Sequence, residues 1–172
     1  MENKVLKIIK SRVSCRAYNE KKVSLKKALE VAEAGKYAPS GKNRQIANIY
    51  VVNSKRYVEK LRTLSLNELN RDCMYGAKTI LLVGAPREDA FTDKDCSCIL
   101  ENMFIAAHAL KIDSCWINQF DDLFNTKNGL KVKKALGIPE NFRIVGSCAI
   151  GYAKENAALA VKPRKEDFIV IK

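Results

Sequence analysis

Residues 38–45 read Ala-Pro-Ser-Gly-Lys-Asn-Arg-Gln and form a polar loop between two regular segments. Before this loop, Ser24 can cap a helix over residues 25–37, whose apolar residues recur at helical spacing, and Pro39 forbids its continuation. After the loop, residues 46–52 read Ile-Ala-Asn-Ile-Tyr-Val-Val and predict a strand. The loop therefore joins a helix to a strand.

Hydrophobic patterns predict further elements along the chain. The predicted helices lie near residues 57–66, 96–110 and 130–136, with an amphipathic turn near residues 5–9. The predicted strands lie near residues 79–84, 143–152 and 168–171, with residues 114–118 as a short strand or loop. The longest helix has an apolar stripe that we assign to the core, formed by Ile99, Met103, Ala106, Ala107 and Leu110. No linker or repeat divides the chain, so residues 1–172 predict one domain whose helices cover a central sheet.

Basic residues cluster near both ends of the chain. Residues 12–18 read Arg-Val-Ser-Cys-Arg-Ala-Tyr, and residues 162–164 read Lys-Pro-Arg. Guanidinium and ammonium groups are natural partners of a phosphate monoester, so the two clusters predict a dianion site if the fold brings them together. The alternative is a chance cluster and a frayed basic tail, because 31 of the 172 residues are Lys or Arg.

The composition favours a globular protein, with 47% apolar residues, 29% charged residues and a formal net charge of +12. The basic residues are interleaved with acidic ones and no nucleic-acid-binding motif is present, so we expect no specific nucleic-acid partner. No apolar run approaches the roughly 20 residues of a membrane helix, so we expect no membrane partner. The first residues lack the pattern of a secretory signal, which predicts a cytoplasmic location by default.

Six cysteines occur in the chain, and reduced thiols are the expected state. Cys96 and Cys98 form the only close pair, and no cluster has metal-ligand spacing, so we predict no metal site. His108 is the single histidine and cannot build a catalytic triad, so we interpret it as structural. The chain has no Gly-x-Gly-x-x-Gly element and no Walker A element, so the sequence supports neither a resident nicotinamide site nor a triphosphate site.

Taken in order, these segments resemble the FMN-dependent nitroreductase family. Its members open with Arg-Arg-Ser-x-Arg-x-Phe/Tyr and continue with Ala-Pro-Ser-x-x-Asn-x-Gln. The similarity runs over nearly the whole chain, through residues 70–74, 95–102, 136–140, 149–152 and 162–164. The resemblance implies an α+β nitroreductase-like fold with a central mixed, mostly antiparallel sheet flanked by helices. It also implies an intertwined homodimer with FMN in two clefts at the subunit interface, and no catalytic side chain, because hydride transfer occurs at the flavin N5.

The resemblance assigns ligands to the cofactor. The positions that match phosphate contacts are Arg12, Ser14, Arg16, Lys162 and Arg164, with only the backbone at Val13, where relatives have a second basic residue. The positions that match ring contacts are Asn70 and, reaching across from the partner subunit, Pro39, Ser40 and Asn43. A loop that runs against the flavin, commonly through backbone amides, matches Cys115, Trp116 and Ile117. Gln45 is either a ring contact or the polar start of a strand, and Trp116 either lies beside the flavin or belongs to the core.

Other positions depart from the family pattern or match it without binding the flavin. Cys73 stands where relatives often have a lysine that stabilises reduced flavin, so either reduced flavin is less stabilised here or another cation, Lys42 or Arg44, substitutes for it. Asp95 and Asn102 match family residues around the longest helix, and we interpret Asn102 as a structural hydrogen-bonding residue.

The resemblance implies an oxidoreductase that takes electrons from transiently bound NADH or NADPH. It would pass them to a nitroaromatic, quinone or similar electron-poor acceptor by a ping-pong mechanism. With 172 residues the chain has no room for the long insertion that relatives use as a lid, so an open site is expected. Two alternatives remain open, namely a flavin-binding or storage protein with little turnover and a thiol-based redox sensor that uses Cys96 and Cys98.

Overall fold

Four strands form a central sheet in the computed structural model, which describes residues 3–170. The strands are β1 (Asn48–Val52), β2 (Thr79–Pro86), β3 (Asp113–Ile117) and β4 (Phe142–Gly151). They lie in the order β1-β2-β4-β3, and each neighbouring pair is antiparallel. The two central strands, β2 and β4, are the longest, so most of the sheet's buried surface lies at its centre.

The expectation of a mixed sheet is wrong for the described residues. Within them, the only parallel pairing is an isolated bridge between Ser14 and Ser114. The closing segment over residues 168–171, which the sequence predicts as extended, adds no strand to the sheet. Phe168 ends a short 3-10 helix, Ile169 is extended without a sheet partner in the described chain, and residue 171 lies outside the described residues.

Six α-helices occur in the described part of the chain. They are α1 (Lys4–Ser11), α2 (Leu25–Lys36), α3 (Lys55–Leu69), α4 (Thr92–Ala109), α5 (Phe120–Leu123) and α6 (Lys127–Ala135). The Ser24 Oγ accepts a hydrogen bond from the Lys27 N–H at 3.3 Å, so α2 begins at the predicted cap. None of these helices combines the length and the hydropathy that a membrane crossing requires.

Helices cover both faces of the sheet, because β2 is apolar on both of its sides. Ile80 and Leu82 belong to a cluster that includes α3 and α5, with α6 at its margin. Leu81 and Val83 belong to a second cluster, which includes α2 and α4. The predicted arrangement of helices on both sides of a central sheet is therefore confirmed.

The buried face of α4 differs from the predicted stripe. The helix buries an apolar set that consists of Cys96, Leu100, Met103, Phe104 and Ala107. The predicted residues Ile99, Ala106 and Leu110 are only partly buried, and Ile99 and Leu110 pack against the margin of the second cluster. The two stripes are neighbours on the helix surface, and the position of the sheet decides which of them is packed.

The N-terminal segment over residues 12–18 is fixed to the sheet beside β3. The Cys15 N–H donates to Ser114 O at 2.9 Å, and the Tyr18 hydroxyl donates to Ala149 O at 3.1 Å. Both acceptors are more than 90 residues away in sequence. The position of the basic cluster at residues 12–16 therefore depends on the completed sheet.

Candidate functional site

Three of the predicted phosphate ligands belong to the extended segment beside β3. Ser14 forms the bridge with Ser114, and Arg12 has the extended dihedral angles φ −62° and ψ 131°. Side chains of an extended chain alternate in direction, so Arg12, Ser14 and Arg16 share one side of the segment. Cys15, on the opposite side, is fully buried, and burial raises the pKa of its thiol.

The positive charges of Arg12 and Arg16 have no counter-charge in the described chain. Neither side chain forms a hydrogen bond or an ion pair there, whereas Arg44 and Arg143 are paired with carboxylates. The electrostatic effect of both charges reaches Cys115 on β3. Burial raises the pKa of this thiol, and the two arginines oppose that rise. Two free guanidinium groups next to a serine hydroxyl are donors that suit a phosphate monoester. The side chains present therefore fit the phosphate end of the predicted cofactor.

Trp116 lies on β3 beside Phe104, the ring that Arg12 approaches. Its side chain is 39% exposed, and its ring centroid lies 5.8 Å from that of Phe104. The Arg12 guanidinium carbon is 6.0 Å from the Phe104 ring centroid. Gly146 leaves room for the indole, because a Cβ there would lie 2.9 Å from the indole ring. Trp116 is thus packed on one side and accessible on the other, and Phe104 joins the site although no sequence pattern indicated it.

The two neighbours of Trp116 belong to the core. Cys115 and Ile117 are each 1% exposed, so their side chains offer no surface to a ligand. Only the backbone of these two residues remains for contact with a cofactor. This agrees with the backbone role that the family resemblance implies, although contact itself stays a prediction.

Among the described residues, no hydrogen bond or ion pair links the C-terminal basic cluster to the N-terminal one. The tail leaves the sheet beside the N-terminal segment, where the Lys154 N–H donates to Ala17 O at 3.0 Å. Lys162 and Arg164 are exposed farther along the tail and have no hydrogen bond or ion pair among the described residues. Their convergence with the N-terminal arginines on one anion stays a prediction.

Residues 38–45 form a tight loop with an uncommon backbone. Lys42, Asn43 and Gln45 have φ angles of 56°, 53° and 50°. This left-handed conformation costs a non-glycine residue about 1–2 kcal/mol. The Gln45 N–H donates to Ser40 Oγ at 3.1 Å, and Gln45 Nε2 donates to Asn43 Oδ1 at 3.1 Å. Gln45 is therefore part of the loop and not the start of β1, and its contact with a ring stays a prediction.

The loop borders a groove of about 650 Å³ that is lined by residues of α2, β1 and α4. Three predicted ring ligands line this groove, namely Pro39, Ser40 and Gln45. The lining includes no residue of the segment over residues 12–16 and none of β3. One chain thus presents the ring ligands of the loop and the ligands near Trp116 as two separate groups.

Asn70 and Cys73 lie near the end of α3 in very different surroundings. Asn70 ends the helix with a φ of 53°, and its N–H donates to Leu66 O at 3.0 Å. Its exposed amide side chain has no hydrogen-bond partner in the described chain, so it is available to a ligand. Cys73 is 1% exposed, and burial raises the pKa of its thiol. The Cys73 side chain therefore brings no charge to a flavin.

The two cations considered as substitutes for a lysine at position 73 differ in availability. Arg44 pairs with Asp89 at 2.7 Å and lies 5.2 Å from the centroid of the Phe91 ring. These contacts bind the Arg44 side chain to its own chain. Lys42 is exposed and has no ion pair among the described residues, so it is the better candidate.

Asn102 and His108 have structural partners on neighbouring helices. Asn102 Nδ2 donates to Ala34 O at 3.2 Å and links α4 to α2. His108 Nε2 lies 2.8 Å from Ser11 Oγ and links α4 to α1. Both contacts agree with the structural roles expected from the sequence.

The cysteines do not form the exposed dithiol that a redox sensor needs. All six are free thiols, and Cys98 alone among them is exposed. Burial raises the pKa of Cys96 to about 12, so this thiol stays protonated at neutral pH. Among residues 3–170, no group of three His, Cys, Asp or Glu side chains is placed to hold a metal ion.

Comparison with known proteins identifies the architecture. Residues 9–152 match the Nitroreductase family. A nitroreductase with bound FMN from Bacteroides fragilis superposes with a TM-score of 0.92 at 33% identity, covering 99% of this chain and 100% of that chain. A nitroreductase with bound FMN from Desulfitobacterium hafniense superposes with a TM-score of 0.90 at 25% identity, covering 100% of both chains.

A similar sequence occurs in Archaeoglobus fulgidus, in a protein named as a candidate NADH dehydrogenase/NAD(P)H nitroreductase. It is 26% identical over 155 residues, which cover 87% of this chain and 86% of the other. The family match spans the N-terminal arginines, the loop over residues 38–45 and the whole sheet. The α+β nitroreductase-like fold expected from the sequence is therefore confirmed, and the chain belongs to the nitroreductase family.

Proposed function

We propose that the chain is an FMN-dependent oxidoreductase. In this proposal it transfers reducing equivalents from NADH or NADPH to a nitroaromatic, quinone or similar electron-poor acceptor. The observation that carries the proposal is the pair of free arginines, Arg12 and Arg16, on the segment that bridges β3, the strand of the half-exposed Trp116. Guanidinium groups suit a phosphate, and an indole offers a flat apolar surface to a planar ring. The bound FMN in the two similar crystal structures supports the same choice.

Each residue group has a role that follows from its chemistry. The phosphate is held by charge-assisted and neutral hydrogen bonds from Arg12, Ser14, Arg16, Lys162, Arg164 and the backbone at Val13. The ring is held by Trp116, by the backbone of Cys115 and Ile117, and by the amide of Asn70. When bound, FMN supplies the acceptance and release of hydride at its N5 atom. The protein binds and orients the cofactor, and no side chain has to act as acid, base or nucleophile.

We infer that the active form is a homodimer with FMN at the subunit interface. The loop ligands Pro39, Ser40, Asn43 and Gln45 would then reach a flavin that the partner chain holds by its phosphate. Exposed apolar surface supports this assembly, because α1 exposes Val5, Leu6 and Ile9 by 43–58%. The tail exposes a second apolar set, consisting of Leu159, Val161, Phe168, Ile169 and Val170. Apolar surfaces of this kind are commonly covered by a partner.

The kinetic mechanism in this proposal is ping-pong, because the nicotinamide and the acceptor use the same open site in turn. The chain acts as a single domain over residues 1–172, without a nucleic-acid or membrane partner. The cytoplasmic location expected from the sequence stays a prediction.

Titration of the apoprotein with FMN tests the proposal. Trp116 is the only tryptophan, so its emission should be quenched as FMN binds, with saturation at one equivalent per chain. The holoprotein should be yellow and should oxidise NADH or NADPH in the presence of a quinone or a nitrofuran. A colourless protein that leaves the Trp116 emission unchanged when FMN is added would contradict the proposal.

A flavin-binding protein with little turnover is the second candidate. It is favoured by the burial of Cys73 and by the ion pair of Arg44, which leave few cations to stabilise reduced flavin. The two candidates differ in one measurement, the steady-state rate of NADH or NADPH oxidation by the FMN-loaded protein. A rate that does not rise when an acceptor is added would favour the second candidate.

A further inference from the structure

Asp95 is a buried carboxylate whose two oxygens have different surroundings. The residue is 4% exposed and lies near the start of α4. Its Oδ1 accepts a hydrogen bond from the Gly41 N–H at 2.9 Å. Its Oδ2 is buried and has no hydrogen-bond partner among the described residues. Among the described residues, the Asp95 side chain is hydrogen-bonded to the loop over residues 38–45 and not to the helix that carries it.

Hydrogen bonds among Ser40, Asn43 and Gln45 and the Arg44–Asp89 ion pair support the loop, and the Gly41–Asp95 hydrogen bond joins it to the interior of α4. Three left-handed residues, Lys42, Asn43 and Gln45, shape its backbone, and all three are exposed. Gly41 is the point where the loop approaches α4, because a Cβ there would lie 2.4 Å from the Phe91 ring. A glycine at this position therefore allows the backbone N–H to reach the buried carboxylate.

We propose that Asp95 is a positioning residue that holds the loop in the conformation in which it contacts the flavin. The inference rests on the proposed function, because Ser40 and Asn43 are the proposed ring ligands. Ser40 precedes Gly41 directly and Asn43 follows it by two residues, so a displacement of Gly41 moves both. A charged acceptor strengthens the hydrogen bond, and burial protects it from competition by water. The N-terminal end of α4 also stabilises the negative charge.

Two substitutions separate the hydrogen bond from the charge. Asp95→Ala removes the acceptor, and we expect the FMN dissociation constant to rise about tenfold or more, the range for loss of one charged hydrogen bond. Asp95→Asn keeps an oxygen that can accept from Gly41 but loses the charge, so the dissociation constant should rise clearly less than in Asp95→Ala. Asp93→Asn is the matched control, because Asp93 lies in the same turn of α4 with a 65% exposed side chain and pairs with Arg143 instead of the loop.

A second readout reports on the loop without any flavin. Lys42 and Arg44 are tryptic sites inside the loop, and a held loop resists cleavage. In Asp95→Ala apoprotein, cleavage after both residues should accelerate relative to the other tryptic sites, as mapped by mass spectrometry. Gly41→Ala should accelerate the same two cleavages, because its methyl group would displace the loop from Phe91 while Asp95 stays intact.

Each outcome of these experiments either supports or overturns the positioning role of Asp95. The proposal is supported when Asp95→Ala opens the loop to trypsin and weakens FMN binding, while Asp95→Asn loses clearly less and Asp93→Asn matches wild type. It is overturned when folded Asp95→Ala matches wild type in both readouts, or when Asp95→Asn loses as much as Asp95→Ala. If Asp95→Ala does not fold, Asp95→Asn decides the outcome: faster cleavage of the loop and weaker FMN binding than in Asp93→Asn support the proposal, and wild-type behaviour in both readouts overturns it. A wild-type protein that binds no FMN contradicts the proposed function, whereas the trypsin readout still tests the positioning role.

Discussion

At the scale of single residues, the charge of Arg12 is free whereas that of Arg143 is used within the fold. Arg143 pairs with Asp93 at 2.9 Å and with Asp121 at 2.8 Å, which ties β4 to α4 and α5. Arg12 has no carboxylate partner in the described chain and lies over Phe104. Substitution of Arg143 should therefore lower the stability of the fold, whereas substitution of Arg12 should lower the affinity for a ligand.

The double variant Arg12→Ala with Lys162→Ala tests whether the two basic clusters bind one phosphate. Each charged hydrogen bond contributes about 1.5–3 kcal/mol, so the FMN dissociation constant should rise about a hundredfold or more. Fluorescence titration of the apoprotein with FMN measures this dissociation constant. Arg56→Ala is the control, because Arg56 is also exposed but lies on α3, and the control should bind FMN like wild type. A double variant with wild-type affinity would show that the clusters do not share an anion.

At the scale of elements, the junction between α5 and α6 depends on one glycine. A Cβ at Gly129 would lie 1.7 Å from Leu123 O, a backbone atom that cannot rotate away. The Gly129 N–H also donates to Thr126 Oγ1 at 3.0 Å, which caps α6. The two helices can approach this closely because position 129 has no side chain.

Gly129→Ala should therefore destabilise the protein, by about 1–3 kcal/mol, the usual cost of overpacking. Thermal unfolding followed by circular dichroism measures the loss. Lys131→Ala is the control, since Lys131 is exposed on the same helix and alanine is a good helix former there. Equal melting temperatures for Gly129→Ala and wild type would mean that the junction relaxes without cost.

Most helices and strands are predictable from the sequence, because helix caps, prolines and apolar runs lie within short stretches of it. The Ser24 cap and Pro39 bracket α2, and the apolar run of residues 79–84 marks β2. Element bounds that depend on residues far away in the sequence are predicted less well. The start of β1 was placed too early, at residue 46, because the left-handed backbone of Gln45 is not visible in its side chain.

The residues of the candidate site likewise divide into those that local sequence predicts and those that distant contacts place. Arg12, Ser14 and Arg16 could be named from their spacing and the family pattern, and the bridge to β3 accounts for their common side. Phe104 could not be named, because its approach to Trp116 depends on how α4 lies against the sheet. The hydrogen bond between the loop and α4 is likewise not predictable from local sequence, since 54 residues separate Gly41 from Asp95.

At the scale of the whole molecule, buried thiols make stability depend on pH. Burial raises the pKa of five cysteines, namely Cys15, Cys73, Cys96, Cys115 and Cys148. Above the ordinary thiol value of 9.0, the unfolded chain loses these protons while the folded chain keeps them. The folded state then binds more protons, so the free energy of unfolding falls as pH rises.

Cys96 allows one contribution to be isolated, because burial raises its pKa to about 12. This thiol should cost the native state about 1.4 kcal/mol at one pH unit above its unfolded value. Urea unfolding at neutral pH and near pH 10 should show a smaller alkaline loss in Cys96→Ala than in wild type. Cys98→Ala is the control, since that thiol is exposed on the same helix. An equal alkaline loss in Cys96→Ala and Cys98→Ala would contradict the assignment.

The proposed homodimer predicts a particle of about twice the 19.3 kDa chain mass in sedimentation equilibrium. The double variant Leu6→Ser with Ile9→Ser should shift the equilibrium towards monomer and weaken FMN binding, because both residues are exposed on the apolar face of α1. Leu130→Ser, at an exposed leucine on α6, is the control and should remain dimeric. A wild-type protein that stays monomeric at high concentration would refute the dimer.

The strand order also bears on how the molecule is made. β4 is the last strand to be synthesised, yet it lies between β2 and β3. A nascent chain leaves the ribosome from its N-terminus, so the earlier strands emerge with an empty place between them. The edges of β2 and β3 that pair with β4 stay without partners until residues 142–151 have cleared the exit tunnel. Ribosomal pausing before that point should therefore expose the chain to chaperones and to aggregation more than pausing after it.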